Sequence, residues 1–143
     1  MAQEKPQLLK LSVQHYKHKD VSQDDFYKWL HAEHIPVAAE IVKKHNIVRW
    51  STTLNPVAMQ QAFGEELHSS LGKPAGWVMA DFDAVTNYWV RDPNDIRALM
   101  RDPEWAERVS AVEVGWIDPE RASILVGFEN VFIDDGEILP QAQ

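Results

Sequence analysis

Phe26 to His45, FYKWLHAEHIPVAAEIVKKH, decides the fold, because it reads as a long amphipathic helix set between two strand-like segments. At about 100° per residue, Phe26, Leu30, Val37 and Ile41 fall within roughly a 60° arc, and His34 lies only about 20° beyond it. His34 therefore points inward, where an imidazole is either a hydrogen-bonded core residue or a proton carrier in a dry pocket. Ser22 can cap this helix, and Asp24 and Asp25 put negative charge in its first turn, where the helix dipole favours it. Pro36 removes one backbone donor and frees the carbonyl of Ala32, which predicts a kink or a break beside His34.

Working outward, Leu8 to Tyr16 alternates apolar and polar residues as a half-buried strand, and Ile47 to Leu54 is a β-branched run that predicts a second strand ended by Asn55-Pro56. Val57 to Leu71 carries Met59, Phe63, Leu67 and Leu71 four residues apart, the pattern of a one-sided helix lying over something apolar. Gly72 to Gly76 ends it. Trp77 to Val90 reads as a third extended segment bent around Val85 to Asn87. Asp92 and Pro93 open a further helix as cap and first residue, and Pro103 divides it from a second piece, Glu104 to Val112. Ser123 to Ile133 is the last strand, closed by a turn at Asp135-Gly136. The order is βαββαβ with one extra helix, the ferredoxin-like plan of an α+β protein. Such a sheet has helices on one face only, so dimerisation through the open face is the expected way to cover the other.

The 143 residues, 45% hydrophobic with six tryptophans, predict a single domain spanning 1–143 with its core at about 8–136. The chain lacks an apolar run of about 18 residues and a charged-then-apolar leader, so neither a membrane span nor secretion is expected, and a cytoplasmic protein is the default. With no cysteine, disulfides, thiolate metal sites and cysteine nucleophiles are excluded. A net charge of −8 without a basic cluster argues against nucleic acid and anionic membranes as partners. No nucleophile elbow, phosphate loop or dinucleotide fingerprint occurs, which disfavours covalent catalysis and nucleotide cofactors.

Three features together, Phe26-x-x-Trp29-x-x-x-x-His34-x-Pro36, the run Trp89-Val-Arg-Asp-Pro-Asn-Asp95, and Asp118 to Ile133 (DPERASILVGFENVFI), resemble the EthD-domain proteins of the dimeric α+β barrel superfamily. They are especially similar to fungal members found beside aromatic polyketide synthases, and the likeness runs from about Leu8 to Gly136. The resemblance implies a homodimer with a small-molecule cavity between sheet and helices in each subunit. It also implies the proton-transfer role for His34 and, as substrate, an anthrone-type carboxylic acid such as atrochrysone carboxylic acid.

The resulting expectation is a cofactor-independent decarboxylase of an aromatic polyketide acid in secondary metabolism. His34 would deliver the proton, a hydroxyl from Tyr88 or Thr52 would hold the oxyanion, and Asp81 or Glu33 would set the charge of His34. His15 at the strand end and Trp50, Phe26, Leu30 and Phe63 would form the substrate walls, with the helix from Val57 to Leu71 as a lid. Trp29, about 90° from the stripe centre, is expected at a rim or interface. Two alternatives share the pocket: a cyclase, dehydratase or cofactor-free monooxygenase using His34 as a base, and a dimeric protein that binds aromatic ligands without changing them. Haem degradation is less favoured, because no histidine is set out as an axial ligand. No metal is expected either: His31 and His34 lack the fuller His-Glu-x-x-His spacing and a completing carboxylate. His18, His45 and His68 are expected on the surface.

Overall fold

In the computed structural model residues 7–71 and 78–143 are described, so the predicted helix end at Gly72 to Gly76 and the start of the third strand at Trp77 lie outside them. Strand β1 (Leu8–Lys17) is followed by helix α1 (Gln23–Trp29), a π-helical turn at Leu30–His34 and helix α2 (Ile35–Lys43). Then come β2 (Arg49–Leu54), α3 (Val57–Leu71), β3 (Ala84–Val90) and α4 (Pro93–Arg101). A second π-helical turn at Trp105–Ser110 runs into α5 (Ala111–Glu113), and the chain ends with β4 (Ile117–Glu129) and a hairpin of β5 (Ile133–Asp134) and β6 (Glu137–Ile138). The four long strands form one antiparallel sheet in the order β2-β3-β1-β4, the ferredoxin-like order.

The helix starts follow local chemistry. Ser22 caps α1 by accepting the Asp25 amide at 3.1 Å, and Asp92 caps α4 by accepting the Asn94 amide at 2.9 Å with Pro93 behind it. Ser22→Ala is expected to cost about 1 kcal/mol of stability, read as a lowered urea midpoint at unchanged slope. The expected break beside Pro36 takes the form of the π-helical turn: the Ile35 amide bonds the Leu30 carbonyl, five residues back. His34 ends that turn. The Asp135-Gly136 turn between β5 and β6 has φ of 50° and 78°, both in the left-handed region that a two-residue hairpin requires.

Three expectations need correction. The third strand starts at Ala84 and runs straight through Asn87, because the Ala80 and Phe82 carbonyls are taken by the Asn55 side chain and the Asp83 carbonyl by the Tyr27 hydroxyl and the Asn55 amide. Strand β4 spans Ile117–Glu129, earlier at both ends than predicted, with a register irregularity opposite His15 and Lys17. Helix α3 is only partly covered by the described residues: Met79 lies beside Gly64, while Met59, Phe63 and Leu67 stay 38 to 51% exposed.

One core cluster (Ala38, Ile41, Val42, Tyr88, Val90, Ile96, Leu99, Val109) joins α2, α4 and the second π-helical turn to β3. Another, of Phe26, Trp29, Leu30 and Ala84, closes the end of the sheet near His15. The sheet face away from the helices is mixed: the Ser12 hydroxyl is 2.8 Å from the Asn87 side-chain oxygen, Lys10 and Arg49 lie over the Trp89 ring, and Leu125 is exposed beside them. Exposed apolar surface gathers instead on edge strand β4, where Ile124, Val126 and Phe128 are 59 to 65% exposed.

Candidate functional site

The helical layer covers the sheet unevenly, and this creates the site. Helix α2 packs over β3 with Trp50 of β2, whereas α4 and the second π-helical turn cross the other half and leave a cavity of about 750 Å³ beneath them. Its walls are Leu9, Leu11 and Val13 of β1, Ile124 and Val126 of β4, and Ile96, Leu99 and Trp105 from the helices. The volume suits a drug-sized aromatic molecule, and the polar groups are few and gathered mainly at one end. His15, His34 and Glu113 mark that end, with Thr86 and Tyr88 on β3 and Arg97 on α4 beyond it.

His34 and Glu113 form a pair, with Nε2 2.9 Å from Oε1. The π-helical turn delivers His34, and the last residue of α5 delivers Glu113. His34 is 6% exposed, and its Nδ1 is buried with no hydrogen-bond partner. The ring is held by packing instead: Trp29 lies 5.1 Å away between centroids and is itself stacked on Trp116 at 5.2 Å and 5°. Trp29 is thus buried behind the site, contrary to the rim or interface position expected of it, because Trp116 covers the side of the helix that the stripe geometry left open.

Burial pushes the Tyr88 phenol up to about 12, the Trp50 indole opposing and the Glu113 carboxylate adding to the rise. Tyr88 is therefore a neutral donor at physiological pH. Burial also lowers His15 below its ordinary value of 6.5, with the Glu113 carboxylate opposing the shift and the His34 ring reinforcing it. An unfolded chain then binds more protons than the folded one just below pH 6.5. This contribution to stability is whole above that pH and is lost as pH falls through the lower folded value. Between pH 7.5 and 5.5 the urea midpoint of His15→Gln is expected to fall less than that of the unaltered protein.

Of the residues nominated from sequence, His34, Tyr88 and His15 meet at the cavity. The others do not. Asp81 is exposed, accepting a hydrogen bond from the Tyr16 hydroxyl at 2.7 Å with Arg121 3.8 Å away, and Glu33 is exposed as well. Glu113 occupies the place expected of them beside His34. Phe26 and Leu30 are sealed in the core cluster at the sheet end. Trp50 and Thr52 sit on β2, which α2 and β3 separate from the cavity, and Thr86, the cross-strand partner of Thr52, takes the lining position. Phe63 is exposed on α3, and among the described residues none of that helix lines the cavity. His31 is exposed, His18 is half-buried against Asp20, and His45 is half-buried 2.7 Å from Asp102, while the His68 side chain lies outside the described residues. Among the described residues no group of three or more His, Asp or Glu side chains is disposed to hold a metal ion, and no helix is long and apolar enough to cross a membrane.

Glu113 was missed, yet the sequence carried a signal for it. Trp105, Val109 and Glu113 recur every four residues, so the carboxylate continues an apolar stripe as His34 does in the first helix.

The chain is 32% identical over 138 residues, 96% of each chain, to the dehydratase iacD of Pestalotiopsis fici. It is 25% identical over 129 residues to the decarboxylase nsrE of Aspergillus novofumigatus, covering 89% of this chain and 81% of that one. Among solved structures it is similar to a dimeric protein of ferredoxin-like fold from Bacteroides fragilis, with a TM-score of 0.53 and 11% identity over 84% of this chain and 94% of the other. The EthD domain matches residues 18–120, and the chain belongs to that family.

Proposed function

We propose that this protein is a lyase that removes water from a polycyclic β-hydroxy ketone of aromatic polyketide metabolism, using His34 and Glu113 as one proton-transfer unit. The observation that carries the reading is the 2.9 Å pair set into the wall of an apolar cavity. The dehydratase relative at 32% identity supports elimination of water over the decarboxylation expected from the sequence.

Because Nδ1 is sealed away from solvent, proton traffic runs through Nε2 and the Glu113 carboxylate. In the working state the pair carries one mobile proton. With that proton on Nε2, the Glu113 carboxylate removes the hydrogen α to the ketone, and the electron pair flows into the carbonyl as an enolate. The neutral Tyr88 hydroxyl stabilises the enolate oxygen, as an oxyanion donor does in a water-poor site. Collapse of the enolate forms the carbon–carbon double bond and expels the β-hydroxyl, which leaves as water with the Nε2 proton. Glu113 now holds the proton taken from carbon and shares it back with His34, so the pair ends with the proton count it started with.

Decarboxylation is the second reading, favoured by the similarity to a decarboxylase. There carbon dioxide would leave first and His34 would protonate the resulting carbanion. Atrochrysone carboxylic acid offers both a carboxylate and an eliminable hydroxyl, so mass spectrometry of one incubation without added cofactor separates the two. Enzyme-dependent loss of water supports dehydration; loss of carbon dioxide alone would replace it with the second reading.

The working form is a homodimer on this reading. An apolar edge strand such as β4 invites pairing unless it is covered, and a fold neighbour is described as dimeric.

A further inference from the structure

The cavity is long as well as apolar, and its two ends differ in charge. Its floor follows β1 from Leu9 to His15, six residues and therefore roughly 20 Å of strand. His15, His34 and Glu113 mark one end. At the other, where Leu9 pairs with Val90 and the chain turns into α4, Pro93 and Arg97 complete the wall. Among the described residues Arg97 is the one Lys or Arg side chain in that wall. Its Nη1 donates to Asn94 Oδ1 at 2.8 Å, one turn back on the same helix, and it makes no ion pair among the described residues. The guanidinium is therefore fixed at one corner, with its remaining donors uncommitted to a carboxylate.

Building on the proposed reading of the site, we infer that the substrate is an elongated fused-ring acid whose anionic group binds at Arg97, placing its reacting carbon at the His34–Glu113 end. Two electrostatic facts agree on this orientation. The Glu113 carboxylate repels an anion at the acid/base end, and Arg97 offers at the far end the forked donor geometry that suits a carboxylate. Between them Leu11, Val13, Leu99, Trp105 and Val126 are apolar, and the Tyr88 and Thr86 hydroxyls, on the residues paired with Leu11 and Val13, offer hydrogen bonds but no positive charge. The acid bound in this direction has its carboxylate remote from the hydroxyl it loses, unlike atrochrysone carboxylic acid, whose two groups sit on neighbouring carbons, and it keeps that carboxylate while losing water. Arg97 is thus a specificity residue and does not touch the reacting atoms.

Binding, measured without turnover, tests this. Anthracene-2-carboxylate and anthracene-2-methanol share one skeleton and differ in charge, and their own fluorescence reports both dissociation constants. The unaltered protein is expected to bind the acid at least roughly tenfold more tightly than the alcohol, since a hydrogen bond to a charged group contributes about that much. Arg97→Met should abolish the preference while leaving the alcohol's affinity within about twofold, and Arg97→Lys should retain part of it. Equal affinities in the unaltered protein, no binding of the acid, or a preference surviving in Arg97→Met would each overturn the inference. His34→Ala should keep the preference intact, so a failure of the proton-transfer reading leaves this result standing, and the reverse also holds. Arg97 is exposed and outside both core clusters, so its variants fold, which the circular dichroism spectrum checks.

Discussion

His34→Ala is expected to lower turnover by roughly 10²–10⁴-fold, the range that a positioned general acid or base contributes. Substrate affinity should change little, since the imidazole contributes a small part of a wall that is mostly aliphatic and aromatic. Glu113→Gln removes the carboxylate while keeping the shape and a hydrogen-bonding group opposite Nε2. Its loss of turnover should lie in the same range, at near-native stability. A rise confined to the Michaelis constant in either variant, with turnover unchanged, would mean that the pair only binds substrate.

Phe26→Ala should cost about 3–5 kcal/mol of folding stability, as for other fully buried aromatic side chains cut back to alanine. Phe26 has no solvent exposure and packs with Trp29, Leu30 and Ala84, its ring 5.9 Å from that of Trp29. For a domain whose total stability is of the order of 5–15 kcal/mol, this leaves a marginal protein. The experiment also separates two roles for the residue. As a cavity wall it would raise the Michaelis constant with little change in the urea midpoint; as core it lowers the midpoint, and the fraction still folded binds substrate normally.

The parts of the fold legible in the chain were those where local chemistry and periodicity agree. Ser22 and Asp92 mark their helix starts through caps, Asp135-Gly136 marks a turn through its tolerance of positive φ, and the alternation of Leu9, Leu11 and Val13 marks the face of β1 that becomes the cavity floor. The stripe that placed His34 inward rests on the same reasoning. Where that reasoning failed, the deciding contact was long-range. Trp50 and Thr52 alternate just as cavity-lining residues do, but α2 covers their strand, and nothing local announces which half of a sheet a helix will cross. Asp81 is chemically suited to pair with a histidine, yet the loop that carries it is drawn to Tyr16 and Arg121. Helix α3 has a regular apolar stripe that the described residues leave largely exposed, and periodicity reports that a face is apolar without reporting what covers it. Glu113 was as legible as His34, since it continues the stripe of Trp105 and Val109 as His34 continues that of its own helix.

Whether His34 and Glu113 act as one unit is read from a double-mutant cycle on turnover. The proton that Glu113 takes from carbon is the one it returns to His34, so removing either residue interrupts the same cycle and the paired variant His34→Ala with Glu113→Gln should be about as slow as the slower single variant. Losses that multiply, with the double variant slower than the slower single variant by the whole factor of the other, would show two independent contributions and contradict the account.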